Sequence, residues 1–298
     1  MGVRIFTDAG SNLFASYLKE NDLAIYVLPM PLQIGGESYL CYEDSIDAEK
    51  LSAHIYAEMK QGKAVKTSLP SPGLLEEKAR EEIEKGNQVV FVSLSSGISG
   101  SCQSGRLIAS ALNEEKGRDV MATIDSKTAG FGEGMVAIYA EKLVKQGFPF
   151  AEIVAKTTEY VERVRSEFTV DTLKYLAATG RISNLKAVLA GALMIKPLLY
   201  GSEEGKIVVT SKVVGRKAAI KRLVQQVVGN IKDKTSKVYI AHAAAKEDAE
   251  SMKESLKEKG IENVEIAFYD LITGAHVGPG TLAVFYEGEN REVKRSLL

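Results

Sequence analysis

Apolar and polar positions follow two rhythms along this chain, and the change from one to the other marks its most informative stretch. Residues 88–92, Gln-Val-Val-Phe-Val, place four apolar, mostly β-branched or aromatic side chains in a row, with Gly86-Asn87 as the turn before them. Such a run suits a strand covered on both faces of a parallel sheet. Residues 101–113 return to helical spacing, with Leu107, Ile108, Ala111 and Leu112 on one face. Between them, Ser93-Leu-Ser-Ser-Gly-Ile-Ser-Gly100 is rich in hydroxyls and glycine. It lies at a strand's C-terminal end and a helix's start, where open α/β sheets bind ligands and unpaired main-chain N–H groups favour an anion.

The same alternation runs through the chain. Strands are predicted over 3–6, 24–28 continuing into 32–34, 38–42 and 119–124, with Gly35-Gly36 as a hairpin turn. Helices are predicted over 13–20 with Ser11 or Asn12 as N-cap, over 47–60, from Pro72 with Ser71 as N-cap, over 130–146 and over 149–163. Beyond these, strands at 168–170, 195–200, 206–213, 237–242, 264–268 and 282–286 alternate with helices at 173–178, 184–194 (capped by Ser183), 217–231 and 246–259. Residues 195–200 and 206–213 pair as a hairpin across 201–205. The pattern predicts α/β structure in both halves: a domain at 1–160 with a mostly parallel sheet flanked by helices, and a domain at 161–298 with a mixed sheet.

Composition narrows the class. With 298 residues, 45% of them hydrophobic, the chain can fill two cores, and a net charge of -1 from 38 basic and 39 acidic residues gives no bulk attraction to nucleic acid or an anionic membrane. Cys41 and Cys102 lie far apart, without metal-ligand spacing or a disulfide framework, which fits a reducing cytoplasm. The N-terminus enters a strand at once, unlike a signal peptide, and no apolar run approaches the ~18 residues of a membrane span.

Candidate chemistry is sparse in charged groups. There is no G-x-x-x-x-G-K-[ST], and Gly130-Phe-Gly-Glu-Gly134 falls one position short of a dinucleotide fingerprint, so close packing of a helix start is the better account. His54 and His242 have no serine in an elbow context, and no spacing of His, Cys or carboxylates suits a metal. His276 stands in Thr273-Gly-Ala-His-Val-Gly-Pro-Gly280, read as an exposed, rigid loop, where it either is bonded into a tight turn or serves as donor, acid or base. Asp8, ending the first strand, either braces the loop or meets a ligand. Thr67 and Ser68 have no capping duty. Thr67, Ser96 and Ser99, with the N–H groups around Gly97 and Gly100, are expected to form a cradle for one carboxylate or phosphate.

Seven short motifs recur in an order that carries a resemblance: Thr7-Asp8, Thr67-Ser-Leu-Pro-Ser-Pro72, Ser95-Ser-Gly-Ile-Ser-Gly100, Asp125-Ser126, Gly180-Arg-Ile-Ser183, Ile195-Lys-Pro197 and His276-Val-Gly-Pro-Gly280. Together they resemble the DegV family, bacterial fatty-acid-binding proteins of the FakB type. The resemblance implies a two-domain α/β fold holding a long acyl chain in a buried tunnel at the domain interface, with no metal and no nucleotide cofactor. It also implies a partner, a fatty acid kinase subunit that phosphorylates the presented carboxylate for phospholipid synthesis. On this resemblance Thr67, Ser99 and His276 hold the carboxylate, with Ser96 and Gly100 in support, and Arg181 is a surface residue that docks the kinase. Three departures stand out: Leu69 for a usual glutamine, Ser101-Cys102 for threonine-tyrosine, and Ala9-Gly10 within a usual serine run, the first two expected to line the site. The alternative is an acyl- or phosphoryl-transfer enzyme using Asp8, Ser99 and His276.

Overall fold

The computed structural model describes residues 2–42, 47–182 and 194–291. In chain order the first half contains β1 (Val3–Asp8), α1 (Ala15–Glu20), β2 (Tyr26–Leu28), β3 (Met30–Ile34), β4 (Glu37–Cys41), α2 (Ala48–Lys60), β5 (Val65–Thr67), α3 (Pro72–Glu84), β6 (Gln88–Ser93), α4 (Ser101–Lys116), β7 (Met121–Asp125), α5 (Phe131–Lys145) and α6 (Phe150–Val161). The second contains β8 (Val164–Thr169), α7 (Lys174–Ala178), β9 (Ile195–Gly201), β10 (Ile207–Val214), α8 (Arg216–Asn230), β11 (Val238–His242), α9 (Lys246–Lys257), β12 (Val264–Phe268), α10 (Leu271–Val277) and β13 (Leu282–Glu287). These form two α/β domains. The helix expected after Ser183 lies outside the described residues.

The N-terminal domain has a parallel sheet in the order β2-β1-β6-β7 and a small antiparallel sheet, β4-β3-β5. Residues 89–93 of β6 are all buried, as its apolar run requires. Gly35 and Gly36 both have positive φ and turn β3 into β4, and the Ser71 hydroxyl accepts from Leu74 N to start α3 at Pro72. The C-terminal domain is a mixed sheet in the order β10-β9-β8-β13-β11-β12. Helices α8 and α9 close one face through Leu198, Leu223, Ile240, Met252 and Val284.

The other face of that sheet meets α5, which also packs on β1 and β6. This helix is buried on nearly all sides, and the glycines at its start have a packing role. A Cβ on Gly134 would stand 2.5 Å from the main-chain oxygen of Ser11. A single large core therefore runs from Val90 and Val92 through Phe131 to Tyr239 and Phe285, joining the domains.

Two local expectations are corrected. Neither Ser11 nor Asn12 caps α1, which starts after Phe14 without a side-chain cap. Asn12 instead adopts the left-handed conformation, φ 61°, donating to Phe268 O at 2.9 Å and accepting from Asp270 N at 2.8 Å, so it staples the two domains. The segment around His276 is a helix, α10, because Asp270 accepts from Thr273 N at 2.6 Å as its N-cap and Gly278, φ 80°, ends it. Although it belongs to the last part of the chain, α10 packs against α2, β3, β5 and α7. Among the described residues no helix is long and apolar enough to cross a membrane.

Candidate functional site

A cavity of about 310 Å³ opens where the loop after β6, strand β5, helix α10 and the inner face of the six-stranded sheet converge. Its apolar wall comes from both domains: Met30 and Leu94 from the first, Phe168, Ile207, Ile272 and Phe285 from the second. The polar wall includes Thr67, Ser99, Gly100, Lys127, Arg181 and His276. Such a space, apolar with few convergent polar groups, suits a ligand with a hydrocarbon body and one polar end.

Thr67 and His276 are 209 residues apart in sequence, yet Thr67 Oγ1 lies 2.6 Å from His276 Nε2. Antiparallel pairing with Leu32 fixes Thr67, and the capped helix α10 fixes His276. Burial, reinforced by the Arg181 charge, pushes the imidazole down to about 4, so it is neutral at physiological pH. With its proton on Nε2 the ring donates to Thr67, whose own hydroxyl proton is then left for an anion. With the proton on Nδ1, Thr67 would donate to the ring and leave a buried Nδ1–H without a partner. Only the Nε2–H tautomer therefore leaves the Thr67 hydroxyl proton for a ligand.

Ser99 is positioned by its own loop. Its Oγ accepts from Ser101 N at 3.2 Å and lies 2.9 Å from Ser101 Oγ. Gly100, which precedes α4 as its N-cap without a side-chain bond, lines the cavity, whereas Ser101, Cys102 and Gln103 of the first turn do not. Behind Ser101 stands Asp8, fully buried, accepting from Gly10 N at 3.0 Å and Leu94 N at 3.3 Å. Asp8 thus braces the two strand-end loops, and the Ser101 hydroxyl bonds to the same carboxyl. Burial pushes that carboxyl up to about 6 despite these donors.

Sequence reasoning missed Glu133, which accepts from Thr7 Oγ1 at 2.8 Å and hydrogen-bonds Asp8. Burial first, and the neighbouring Asp8 second, hold it well above the usual carboxylate range. Only its place in the glycine-rich start of α5 hinted at burial.

Several expectations are corrected here. Asp8 does not line the cavity, so Asp8, Ser99 and His276 do not converge on one ligand position as the enzymatic alternative requires. Ser96 is exposed, with its amide 3.1 Å from Asp125 Oδ1 and its hydroxyl on the other carboxylate oxygen. Register explains this, because Ser93 of β6 pairs with Asp125 of β7 and brings that carboxylate under the loop. Leu69 does line the cavity, near Gly100, but Cys102 is fully buried off it, its thiol pushed up by burial. Of the Ser101-Cys102 departure, only Ser101 reaches the site, through Ser99. Arg181 is half-buried rather than freely exposed: it bonds Thr179 O, lines the cavity and sets a positive charge beside the neutral donors.

Comparison with known proteins agrees with this architecture. The family described as "Uncharacterised protein, DegV family" matches residues 2–289. A DegV domain-containing protein of Clostridium perfringens is 31% identical over 290 residues, covering 97% of this chain and 98% of that protein. Among solved structures, a fatty acid binding DegV family protein from Streptococcus agalactiae superposes with a TM-score of 0.84 at 29% identity, over 97% of this chain and 100% of its own. A DegV family protein from Ruminococcus gnavus refined with vaccenic acid gives a TM-score of 0.82 at 25% identity, over 95% and 99% of the two chains.

Proposed function

The chain belongs to the DegV family, and from that membership we propose that it carries one long-chain fatty acid and presents the carboxylate to a separate fatty acid kinase. The observation that carries this reading is one continuous cavity whose apolar wall ends at Thr67, His276 and Ser99. Burying about 15 methylenes at ~0.8 kcal/mol each gives on the order of 10 kcal/mol gross, so the tail can supply affinity while the head group needs orientation. Neutral donors at Thr67, Ser99 and His276 suit that task, because they hold a carboxylate without removing the electron density with which it attacks. In the kinase step a carboxylate oxygen attacks the γ-phosphorus of ATP. The bond from that phosphorus to the bridging oxygen breaks, and ADP leaves with the electron pair, so an acyl phosphate forms without gain or loss of a proton. The protein itself acts as carrier rather than catalyst.

Kinase-coupled assay of the fatty-acid-loaded protein tests the second half of this reading. With a fatty acid kinase and ATP, the loaded protein is expected to yield acyl phosphate, trapped by hydroxylamine as the hydroxamate. Arg181→Gln is expected to cut that yield about tenfold or more, a loss on the scale of one charge-assisted contact, while most bound lipid is retained. Undiminished yield from Arg181→Gln would remove Arg181 from the docking surface. Absence of acyl phosphate from the lipid-loaded wild type would remove the kinase step.

A further inference from the structure

A groove of about 530 Å³ runs between α1, the end of β4, the start of α2 and strand β12, and it shares no lining residue with the fatty-acid cavity. Along it lies a sheet edge, because β12 pairs with β11 alone and ends the six-stranded sheet. Val238 N donates to Asn263 O and Tyr269 N to His242 O. Glu265 and Ala267 therefore turn their amides and carbonyls toward β11, and Ile266 and Phe268 turn theirs outward. Both outward residues line the groove, and among the described residues nothing bonds to the amide or carbonyl of Ile266 or to the amide of Phe268. The next place on this edge is taken by a side chain that imitates a strand. Asn12 Nδ2 donates to Phe268 O at 2.9 Å while Asn12 Oδ1 accepts from Asp270 N at 2.8 Å. A residue of a parallel neighbouring strand makes the same two bonds, to the residues before and after the one it faces.

Charge decides what kind of chain fits there. Glu20, Asp47, Glu49 and Glu265 line the groove, and among the described residues no lysine, arginine or histidine does. Lys50 pairs with Asp47 and Lys237 with Glu265, which leaves Glu20 and Glu49 without an ion pair among the described residues. Phe14 and Phe268, with ring centroids 4.5 Å apart, and the half-buried Tyr42 add apolar contact area. We infer that this groove docks an extended, basic segment of a partner protein, which adds a strand to the β12 edge beside Asn12. Ile266 offers that segment two main-chain bonds and Phe268 a third. Its lysine or arginine side chains meet Glu20 and Glu49, and its apolar ones meet the Phe14–Phe268 pair. A second copy of this chain fits poorly, since joining two β12 edges would bring two sets of carboxylates together. Asn12 also joins the two domains, so the docked segment sits at their seam. This docking is independent of what fills the fatty-acid cavity.

The test titrates the full chain into a fluorescently labelled hexapeptide that alternates lysine and valine, read by anisotropy. At low ionic strength a Kd below about 1 mM is expected, rising severalfold at high salt, while a peptide alternating glutamate and valine does not bind. Ile266→Pro removes an outward amide and spares the ladder to β11, so the variant is expected to fold, keep its lipid content and bind the basic peptide about tenfold more weakly. Glu20→Gln/Glu49→Gln is expected to cost about three- to tenfold, the scale of two exposed ion pairs. Two further peptides, N-methylated on every valine or on every lysine, probe the same bonds without altering the protein, and one of them is expected to bind about tenfold more weakly. Absence of basic-peptide binding, equal binding of the glutamate peptide, or wild-type affinity in the folded Ile266→Pro variant would overturn the site. Undiminished binding of both methylated peptides would overturn it as well. A dimer seen by analytical ultracentrifugation and lost in Ile266→Pro would give the edge to a second copy and overturn the partner assignment.

Discussion

Replacing Thr67 by valine and Ser99 by alanine in one chain lowers fatty-acid affinity by roughly two to four orders of magnitude, because two hydrogen bonds to a charged group, each worth about 1.5–3 kcal/mol, are lost together. Valine keeps the shape of threonine, so the cavity wall is preserved while His276 Nε2 loses its 2.6 Å partner. Alanine at position 99 removes the acceptor of the Ser101 amide as well as the ligand's donor. The tail still gains from burial, so binding weakens without vanishing. The imidazole, held down to about 4 by burial, is neutral throughout the range from pH 6 to 8. Protonation of His276 therefore adds no slope there, and wild-type affinity is expected to be flat across that range. A histidine whose folded value is lowered costs stability only as the pH falls below its unfolded value, about 6.5, toward 4. Calorimetry on the delipidated proteins reads the effect, with thermal melts to show that the variant is folded. Wild-type affinity in that variant would place the carboxylate elsewhere.

The second large effect is steric. A Cβ on Gly97 would stand 2.6 Å from the carbonyl oxygen of Gly205 and 2.9 Å from that of Glu204. Both are main-chain atoms in the turn between β9 and β10, where Ser95 Oγ also donates to Gly205 O at 2.7 Å. Neither side can yield by a rotamer change, so Gly97→Ala forces the turn away from the loop after β6. Gly201, Gly205 and Ile207 line the cavity, and displacing them opens it. The expected result is a loss of about 2–4 kcal/mol of stability and a faster release of lipid, by about tenfold. Thermal melting and stopped-flow release of a fluorescent fatty acid check both, and unchanged values would mean that this contact does not close the cavity.

How much of this was legible beforehand follows the range of the interactions. The β6, loop and α4 unit was readable because its signals are local: an apolar run, a glycine- and serine-rich turn, then helical spacing. The glycines of 130–134 signal close helix packing, and added Cβ atoms on Gly132 and Gly134 would meet Thr128 and Ser11. Helix α10 reads as a loop in sequence because Thr273, Gly274 and Pro279 are poor helix formers, whereas the Asp270 cap and the packing on α2 and β3 decide it. The place of Ser96 is not local, because its partner, Asp125, is set by the register of a neighbouring strand. The pairing of Thr67 with His276 spans two domains, so only the family resemblance carried it. Glu133 lies within the glycine-rich start of α5, but its contacts with Thr7 and Asp8 come from the packing of α5 on β1, which no local motif encodes.

Organic extraction of the purified wild-type protein, followed by mass spectrometry, tests the central claim most directly. One equivalent of a long-chain fatty acid per chain is the result this account predicts. A chain that yields no lipid, and takes up none when offered it, would contradict it.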